Sequence, residues 1–166
     1  MKLSLIATLL IMSNTLLGQQ KEPSNKHFWH SLPTTADRNA VWQTWTDVPN
    51  WKTWDTGLQD ATINGAFTLG AKGTILSLEG RTSKFEVVAI DPGISYTIKT
   101  RLPLGSLYVK RYMTDDELGL TFTHEVWFAG LTKGIFAKAF GANFRVLLPE
   151  VMQNVKRIAE AQTKEQ

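Results

Sequence analysis

The chain of 166 residues contains no cysteine. Disulfide bonds, thiolate metal ligands, a cysteine nucleophile and a lipoprotein-type anchor are therefore excluded. Long apolar runs are also scarce, and the one at Leu3–Met12 is shorter than the roughly 20 residues that a membrane-spanning helix needs. The patterns G-x-S-x-G, G-x-x-x-x-G-K-[ST] and G-x-G-x-x-G do not occur, which argues against a serine hydrolase and against nucleotide binding.

A strong excess of charge of one sign is missing as well. Eighteen Lys and Arg residues against fifteen Asp and Glu residues give a formal net charge of +3, and the basic residues are scattered along the chain. This distribution argues against a nucleic-acid partner. The composition, 43% hydrophobic and 20% charged, is typical of a globular protein, and the length suffices for one buried core.

The N-terminus has the form of a secretory leader. A basic Met1-Lys2 start is followed by the apolar Leu3–Met12 and then by a more polar stretch. This order predicts a cleaved signal peptide and hence an exported protein, periplasmic or secreted. The expected organisation is a signal peptide at 1–19, a flexible segment at 20–27, a single domain at 28–162 and a tail at 163–166.

The predicted domain opens with a strand at 28–32 and two short helices. Thr34 followed three residues later by Asp37 resembles a capping box and predicts a helix over 36–46. Asp47 is placed to cap a second short helix, with Pro49 in its first turn, where the missing N–H does little harm.

From residue 58 to residue 128, turn signals such as Asn64-Gly65 and Glu79-Gly80 separate about six short strands. Connections this tight predict antiparallel neighbours. The acidic run at 115–117 is expected to be a solvated turn at a hairpin tip rather than a set of catalytic carboxylates. Alternation in one strand places Tyr96 and Ile98 on a single, core-facing side.

Two polar residues interrupt apolar strand faces. His124 lies between Phe122 and Val126 on one face of its strand, and Arg111 shares a face with Val109. Burial of such groups is costly unless a partner or a ligand satisfies them. With a turn at 115–117, Arg111 is expected across from Phe122 or diagonal to His124. Either both residues face one cavity, or the arginine extends to solvent at the end of the cavity and the histidine is satisfied by a backbone carbonyl or by Tyr112.

The last predicted element is a long amphipathic helix. Its apolar stripe recurs at spacings of four and three and comprises Phe136, Phe140, Phe144, Leu147, Val151, Val155 and Ile158. Nothing else in the chain is suited to covering the open face of a curved sheet.

Tryptophans are concentrated in the two short helices. Four of the six, Trp42, Trp45, Trp51 and Trp54, lie within residues 36–55. Large, rigid side chains at this place are suited to closing one end of a curved sheet. We predict that Trp45 and Trp51 pack in the core, whereas Trp42 and Trp54 either pack there or contact a ligand at an entrance.

Together these residues give the chain a family resemblance over roughly 33–160. Val41-Trp42, Asp47, Trp51 and Trp54-Asp55 resemble the VW...D...W..W pattern of the polyketide cyclase/dehydrase-type members of the START/Bet v 1-like (SRPBCC) superfamily. Further matching positions are Gly70, Gly73, Leu102-Pro103-Leu104, Gly130 and Leu148-Pro149.

The resemblance implies an α+β helix-grip fold, in which a seven-stranded curved antiparallel sheet wraps a long C-terminal helix, with two short helices after the first strand. It also implies an internal apolar cavity for a hydrophobic small molecule or lipid, such as a fatty acid, an isoprenoid quinone or a polyketide-like compound. No cofactor is implied. Because function varies widely on one fold, the choice of activity depends on the site.

Three functions follow from this resemblance. The first is an exported binding or carrier protein; the second is a cyclase or dehydratase that uses His124 or a pocket tyrosine as general acid/base. The third is a module that docks transiently on a membrane or a partner protein through exposed indoles. No metal site is expected, because His27 and His30 are three apart in a strand and so face opposite ways. The candidate ligand-binding residues are Trp42, Trp54, Tyr96, Ile98, Val109, Arg111, Phe122, His124, Val126, Phe136, Phe140 and Phe144.

Overall fold

The computed structural model describes residues 23–117 and 119–165. The predicted signal peptide and residues 20–22 lie outside this part of the chain. Seven strands are present, in agreement with the predicted number. They are β1 His27–Thr34, β2 Leu58–Ile63, β3 Lys72–Ser77, β4 Thr82–Asp91, β5 Ser95–Leu102, β6 Gly105–Asp116 and β7 Gly119–Gly130.

The strands form one antiparallel sheet in the order β1-β7-β6-β5-β4-β3-β2. From β2 to β7 each strand pairs with the next along the chain, because short connections leave only antiparallel neighbours within reach. β1 instead pairs with the last strand, so that the chain between β1 and β2 crosses the end of the sheet. That crossing segment holds the two short helices.

The helical elements follow the predicted order. They are α1 Arg38–Thr46, a 3₁₀ helix Val48–Thr53, α2 Lys133–Phe136, a π-helical stretch Ala137–Gly141 and α3 Ala142–Lys164. α3 packs against β1 and α1, and the 3₁₀ helix packs against β2. The predicted α+β helix-grip fold is therefore confirmed.

The core lies between the inner face of the sheet, α1 and α3. Trp45 and Trp51 are buried, as predicted, together with Phe122 on the sheet and Met152 and Val155 on α3. The indole N–H of Trp51 donates to the backbone carbonyl of Trp45 at 2.9 Å, which ties the 3₁₀ helix to α1. The tryptophan cluster thus closes one end of the sheet.

The predicted capping box at Thr34 is wrong. Thr34 is the last residue of β1; its hydroxyl donates to Glu160 Oε1 at 3.0 Å and accepts the Ala36 N–H at 3.0 Å. α1 starts two residues later than predicted, after Asp37, whose side chain caps nothing. Burial alone would raise the pKa of Glu160, but the Thr35 backbone N–H, the two threonine hydroxyls and Lys156 lower it to about 2.

The last helix is not the uninterrupted stripe that the spacing predicts. The π-helical stretch 137–141 takes more residues per turn than an α-helix and so shifts the phase of every residue that follows. Within α3 Phe144 is 41% exposed, whereas Leu148 and Met152, four and eight residues further along the same helix, are buried. The expectation that Phe144 lies on the inner stripe is therefore incorrect.

The first strand and the last helix are longer than the patterns predict. β1 begins at His27 rather than Phe28, and the turn before it is held because the Phe128 N–H donates to the Lys26 carbonyl at 3.0 Å. At the other end α3 runs to Lys164, two residues into the predicted tail. The hydroxyl of Thr163 accepts the Asp37 N–H at 2.9 Å, which fastens this last turn to the start of α1.

Candidate functional site

The register of the sheet brings four polar side chains into one row on its inner face. His30 pairs with His124, His124 with Arg111, and Arg111 with Tyr96, on the neighbouring strands β1, β7, β6 and β5. We call these four residues the inner polar row. Arg111 thus lies directly opposite His124, and the predicted position opposite Phe122 is wrong because Phe122 pairs with Met113.

Arg111 is the centre of the row and is only 3% exposed. Its Nη1 donates to the Tyr96 hydroxyl, and its Nε donates to His124 Nδ1 at 3.4 Å. The guanidinium carbon lies 4.8 Å from the ring centroid of Trp54 and 5.1 Å from that of Trp51. An arginine in an aromatic cage of this kind is held by cation–π attraction and by stacking. The expectation that the arginine reaches solvent is therefore incorrect.

The neighbours of Arg111 are held in their neutral forms. Burial raises the pKa of the Tyr96 hydroxyl, and the nearby Arg111 charge offsets part of that increase. Burial, reinforced by Arg111, lowers the pKa of His124 well below its usual value of 6.5. Since Nδ1 of this imidazole accepts from Arg111, the proton of the neutral ring is on Nε2. The Tyr96 hydroxyl in turn donates to the Trp45 carbonyl at 3.2 Å.

Asp55 is the carboxyl group that interacts electrostatically with this arginine. Burial raises the pKa of its carboxyl group, whereas Arg111 and the N–H of Gly57 lower it in part. Its Oδ1 accepts that N–H at 3.1 Å. None of the ion pairs between described residues joins Asp55 to Arg111, so the two charges attract each other across a gap. A buried guanidinium without a directly bonded carboxylate retains donor capacity.

Two more donors in this cluster lack an acceptor. The indole N–H groups of Trp45 and Trp54 are buried and donate to no atom among the described residues. Buried polar groups are hydrogen-bonded in the large majority of cases, so each such exception calls for an explanation. Around Arg111 the described part of the chain therefore supplies more hydrogen-bond donors than acceptors.

An open cleft of about 510 Å³ is lined in part by Trp54. It is bounded by α1, the 3₁₀ helix and α3, and Gln43, Asn50, Ile158 and Gln162 contribute to its walls. Trp54 belongs both to the lining of this cleft and to the aromatic cage around Arg111. A second open cleft, of about 360 Å³, lies on the surface of α3. Neither is the enclosed apolar chamber that the resemblance implies.

The predicted site residues fall into three groups. Trp54, Tyr96, Ile98, Arg111, Phe122, His124 and Val126 are buried in the core. Trp42, Val109, Phe136 and Phe140 are partly buried against it. Phe136 and Phe140 stack on one another with centroids 6.0 Å apart, and Phe144 faces outward. The structure thus gathers one group around Arg111 and leaves the phenylalanines of the last helix apart from it.

Two residues near Arg111, Asp55 and His30, were not among the predicted site residues. Asp55 was named only as part of the motif, although it directly follows Trp54. His30 shares a strand face with the buried Phe28, which the period-two pattern of β1 could have revealed. Among the described residues, no three His, Asp or Glu side chains are placed to hold a metal ion. None of the described helices is both long enough and apolar enough to span a membrane.

Comparisons with known proteins support the fold. No protein-family model matches the sequence, and neither does any curated protein. Among solved structures, protein MLL2253 from Mesorhizobium loti is similar at a TM-score of 0.65 and 13% identity, over 81% of this chain and 97% of that one.

Two further similar structures come from biosynthetic pathways. The di-domain ARO/CYC StfQ of the steffimycin pathway has a TM-score of 0.64 at 13% identity, over 84% of this chain and 51% of that protein. DynU16, from the dynemicin biosynthetic locus, has a TM-score of 0.62 at 16% identity, over 85% of this chain and 49% of that one. At these identities the likeness shows a shared helix-grip fold, the fold of polyketide cyclase-type proteins.

Proposed function

We propose that the protein is an exported member of the SRPBCC superfamily that binds a hydrophobic small molecule or lipid with an acidic head group. Fatty acids and acidic polyketide-like compounds fit this description. The observation that carries the proposal is Arg111, a buried guanidinium that no described carboxylate contacts directly.

The donor-rich surroundings of Arg111 support an acidic or carbonyl-bearing head group. A ligand oxygen would find the guanidinium fork and the unpaired N–H groups of Trp45 and Trp54 in one cluster. Shielded from water, one charge-assisted pair is worth roughly 1.5–3 kcal/mol, which is a preference of about tenfold or more for an acid over its neutral ester.

The route to Arg111 leads through Trp54. Trp54 lines the open cleft and contacts the guanidinium, so a ligand that enters from the cleft and reaches Arg111 would displace the indole. Movement of an indole away from a cation and into a new environment changes its fluorescence. We therefore expect binding of a fatty acid to shift the tryptophan emission.

The test is a paired titration of one fatty acid and its methyl ester, followed by tryptophan emission. Wild type should bind the acid about tenfold or more tightly than the ester. Arg111→Leu should remove that preference and leave ester binding nearly unchanged. Arg111→Lys keeps the charge but loses the planar fork, and it should retain only part of the preference. An unchanged acid-to-ester ratio in Arg111→Leu would refute the anchor role.

Asp55 offers a second, opposite variant. Asp55→Asn removes the negative charge that attracts Arg111 across the gap, so the guanidinium becomes freer to bind a ligand carboxylate. We expect tighter binding of the acid and no change for the ester. Circular dichroism and thermal unfolding of all variants separate loss of binding from loss of fold.

A catalytic function is the second candidate, and the convergence of Tyr96, Arg111 and His124 favours it. The His124 ring is neutral and has its proton on Nε2, so it is a general acid/base in a cyclase or dehydratase of polyketide-like substrates if that nitrogen reaches the substrate. His124→Phe should then abolish turnover and retain binding. Retained turnover in this variant would remove His124 from any mechanism.

Export is part of the proposal and rests on the composition of residues 1–19. N-terminal sequencing of the protein from its native cells should find a mature chain that begins near residue 19 or 20. A membrane-bound form that retains Met1 would contradict export by cleavage.

A further inference from the structure

The connections at one end of the sheet carry exposed apolar side chains. In this antiparallel sheet the β5–β6 hairpin and the end of β7 lie at the same end. There the Leu131 N–H donates to the Leu104 carbonyl at 2.9 Å, and the Ile135 N–H donates to the Thr132 carbonyl at 3.0 Å. Leu104, Leu131 and Ile135 are thereby held together, and we call these three residues the leucine tip.

All three side chains of the leucine tip face solvent. Leu104 is 74% exposed, Leu131 is 88% exposed and Ile135 is 69% exposed. Single exposed leucines are ordinary, but three large apolar side chains exposed on connected backbone at one end of the sheet are not, and exposed apolar patches mark interaction sites.

The backbone of Leu104 adds an independent observation. Its φ of 53° is the one positive value at a non-glycine residue in the described part of the chain. Leu104 follows Pro103, and glycine is the favoured residue for a positive φ after proline in a tight turn. A leucine there strains the backbone and, being exposed, gains no burial in return. The fold would be better served by glycine, so the side chain has a use outside the fold.

The two segments that carry the leucine tip are basic. No Asp or Glu occurs at 92–114 or at 126–149, whereas these two segments contain seven Lys and Arg residues. Of these, Arg101, Lys133 and Lys138 are exposed and flank the tip in sequence. None of the ion pairs formed by described residues involves them. Apolar tips within a basic rim complement a surface that has negative head groups above an apolar interior.

We infer that the leucine tip docks the protein onto an anionic lipid bilayer. The three side chains enter the acyl region, and Arg101, Lys133 and Lys138 contact the lipid phosphates. Docking in this orientation brings Phe136, which directly follows Ile135, and the stacked Phe140 next to the membrane surface. The inference does not depend on the identity of any internal ligand. It also differs from docking through exposed indoles, because Trp45, Trp51 and Trp54 are buried.

Vesicle co-sedimentation tests the inference. Wild type should bind vesicles of equimolar phosphatidylcholine and phosphatidylglycerol, bind poorly to pure phosphatidylcholine, and dissociate as sodium chloride is raised. Leu104→Gly and Leu131→Ser should each weaken binding about tenfold, since each removes one leucine from the apolar contact. Lys133→Gln should weaken binding less, by about fivefold.

Two comparisons make the test specific. Leu69→Ser is the matched control, because Leu69 is 65% exposed but lies in the β2–β3 connection at the opposite end of the sheet. It should bind vesicles like wild type. Leu104→Gly should also raise the midpoint of chemical unfolding, since glycine relieves the backbone strain. If Leu104→Gly is more stable than wild type and yet binds vesicles more weakly, misfolding does not explain the loss of binding.

Four results would overturn the inference. They are failure of wild type to bind the anionic vesicles, equal loss in Leu69→Ser, unimpaired binding by Leu104→Gly, and a dimer in sedimentation velocity that Leu131→Ser dissolves. The last result would assign the leucine tip to a second copy of the chain.

Discussion

At the end of the sheet closed by α1 and the 3₁₀ helix, Trp45, Trp51 and Trp54 are at most 1% exposed. At the hairpin end, Leu104 and Leu131 are 74% and 88% exposed. Both ends are rich in apolar residues, yet only the first has helices that cover it. The difference shows that hydrophobicity alone does not assign a residue to the core, because the covering element must also be present.

The aromatic end should dominate the stability of the fold. Trp51→Ala removes a ring that stacks on Phe85 with centroids 5.3 Å apart. It also removes the indole N–H that donates to the Trp45 carbonyl and one wall of the aromatic cage around Arg111. We expect a loss of about 3–5 kcal/mol in the free energy of unfolding, measured by urea denaturation. Leu131→Ala, at the other end, should change it by less than about 0.5 kcal/mol. Equal losses would show that the two ends contribute alike.

Glycine substitutions sharpen the same contrast with a smaller effect. A Cβ on Gly73, in the covered part of β3, would lie 2.3 Å from the Thr62 carbonyl oxygen and 2.3 Å from the Phe85 ring. Gly73→Ala should therefore cost roughly 1–3 kcal/mol of unfolding free energy. A Cβ on Gly134, beside the leucine tip, meets nothing within 4 Å. Gly134→Ala should stabilise α2 by up to about 1 kcal/mol, and any loss there would contradict the exposure of this end.

Acid should lower the stability of the fold through the inner polar row rather than through the hairpin end. The pKa of His124 is lowered in the fold, mainly by burial, so the unfolded chain takes up its proton first as the pH falls below 6.5. Stability is thus fully present above that pH and is lost as the pH drops towards the folded-state pKa, at up to about 1.4 kcal/mol per pH unit. His124→Phe should lack this component in denaturation curves measured across the window. Parallel pH profiles for both proteins would contradict a neutral, buried His124.

Local chemistry explains why much of the fold follows from the sequence. Strand alternation and turn residues act over a few positions, so the antiparallel order and the inward faces of Tyr96 and Phe122 are contained in short stretches. The burial of Trp45 and Trp51 follows from their size and helical spacing in the same way. These features do not depend on which distant segment covers them.

Tertiary structure decided what depends on distant partners. Arg111 was expected opposite Phe122 but lies opposite His124, which is a shift of two residues in the β6–β7 register. Both registers keep the same face of each strand inward, so alternation alone does not distinguish them. Thr34 bonds Glu160, 126 positions away, rather than the start of its own helix. Phe144 is exposed, although Leu148, four residues further along the same helix, is buried. Sequence by itself therefore determined which residues are apolar and which face they share, whereas packing between distant segments decided which of them meet, since those contact energies appear only when the segments come together.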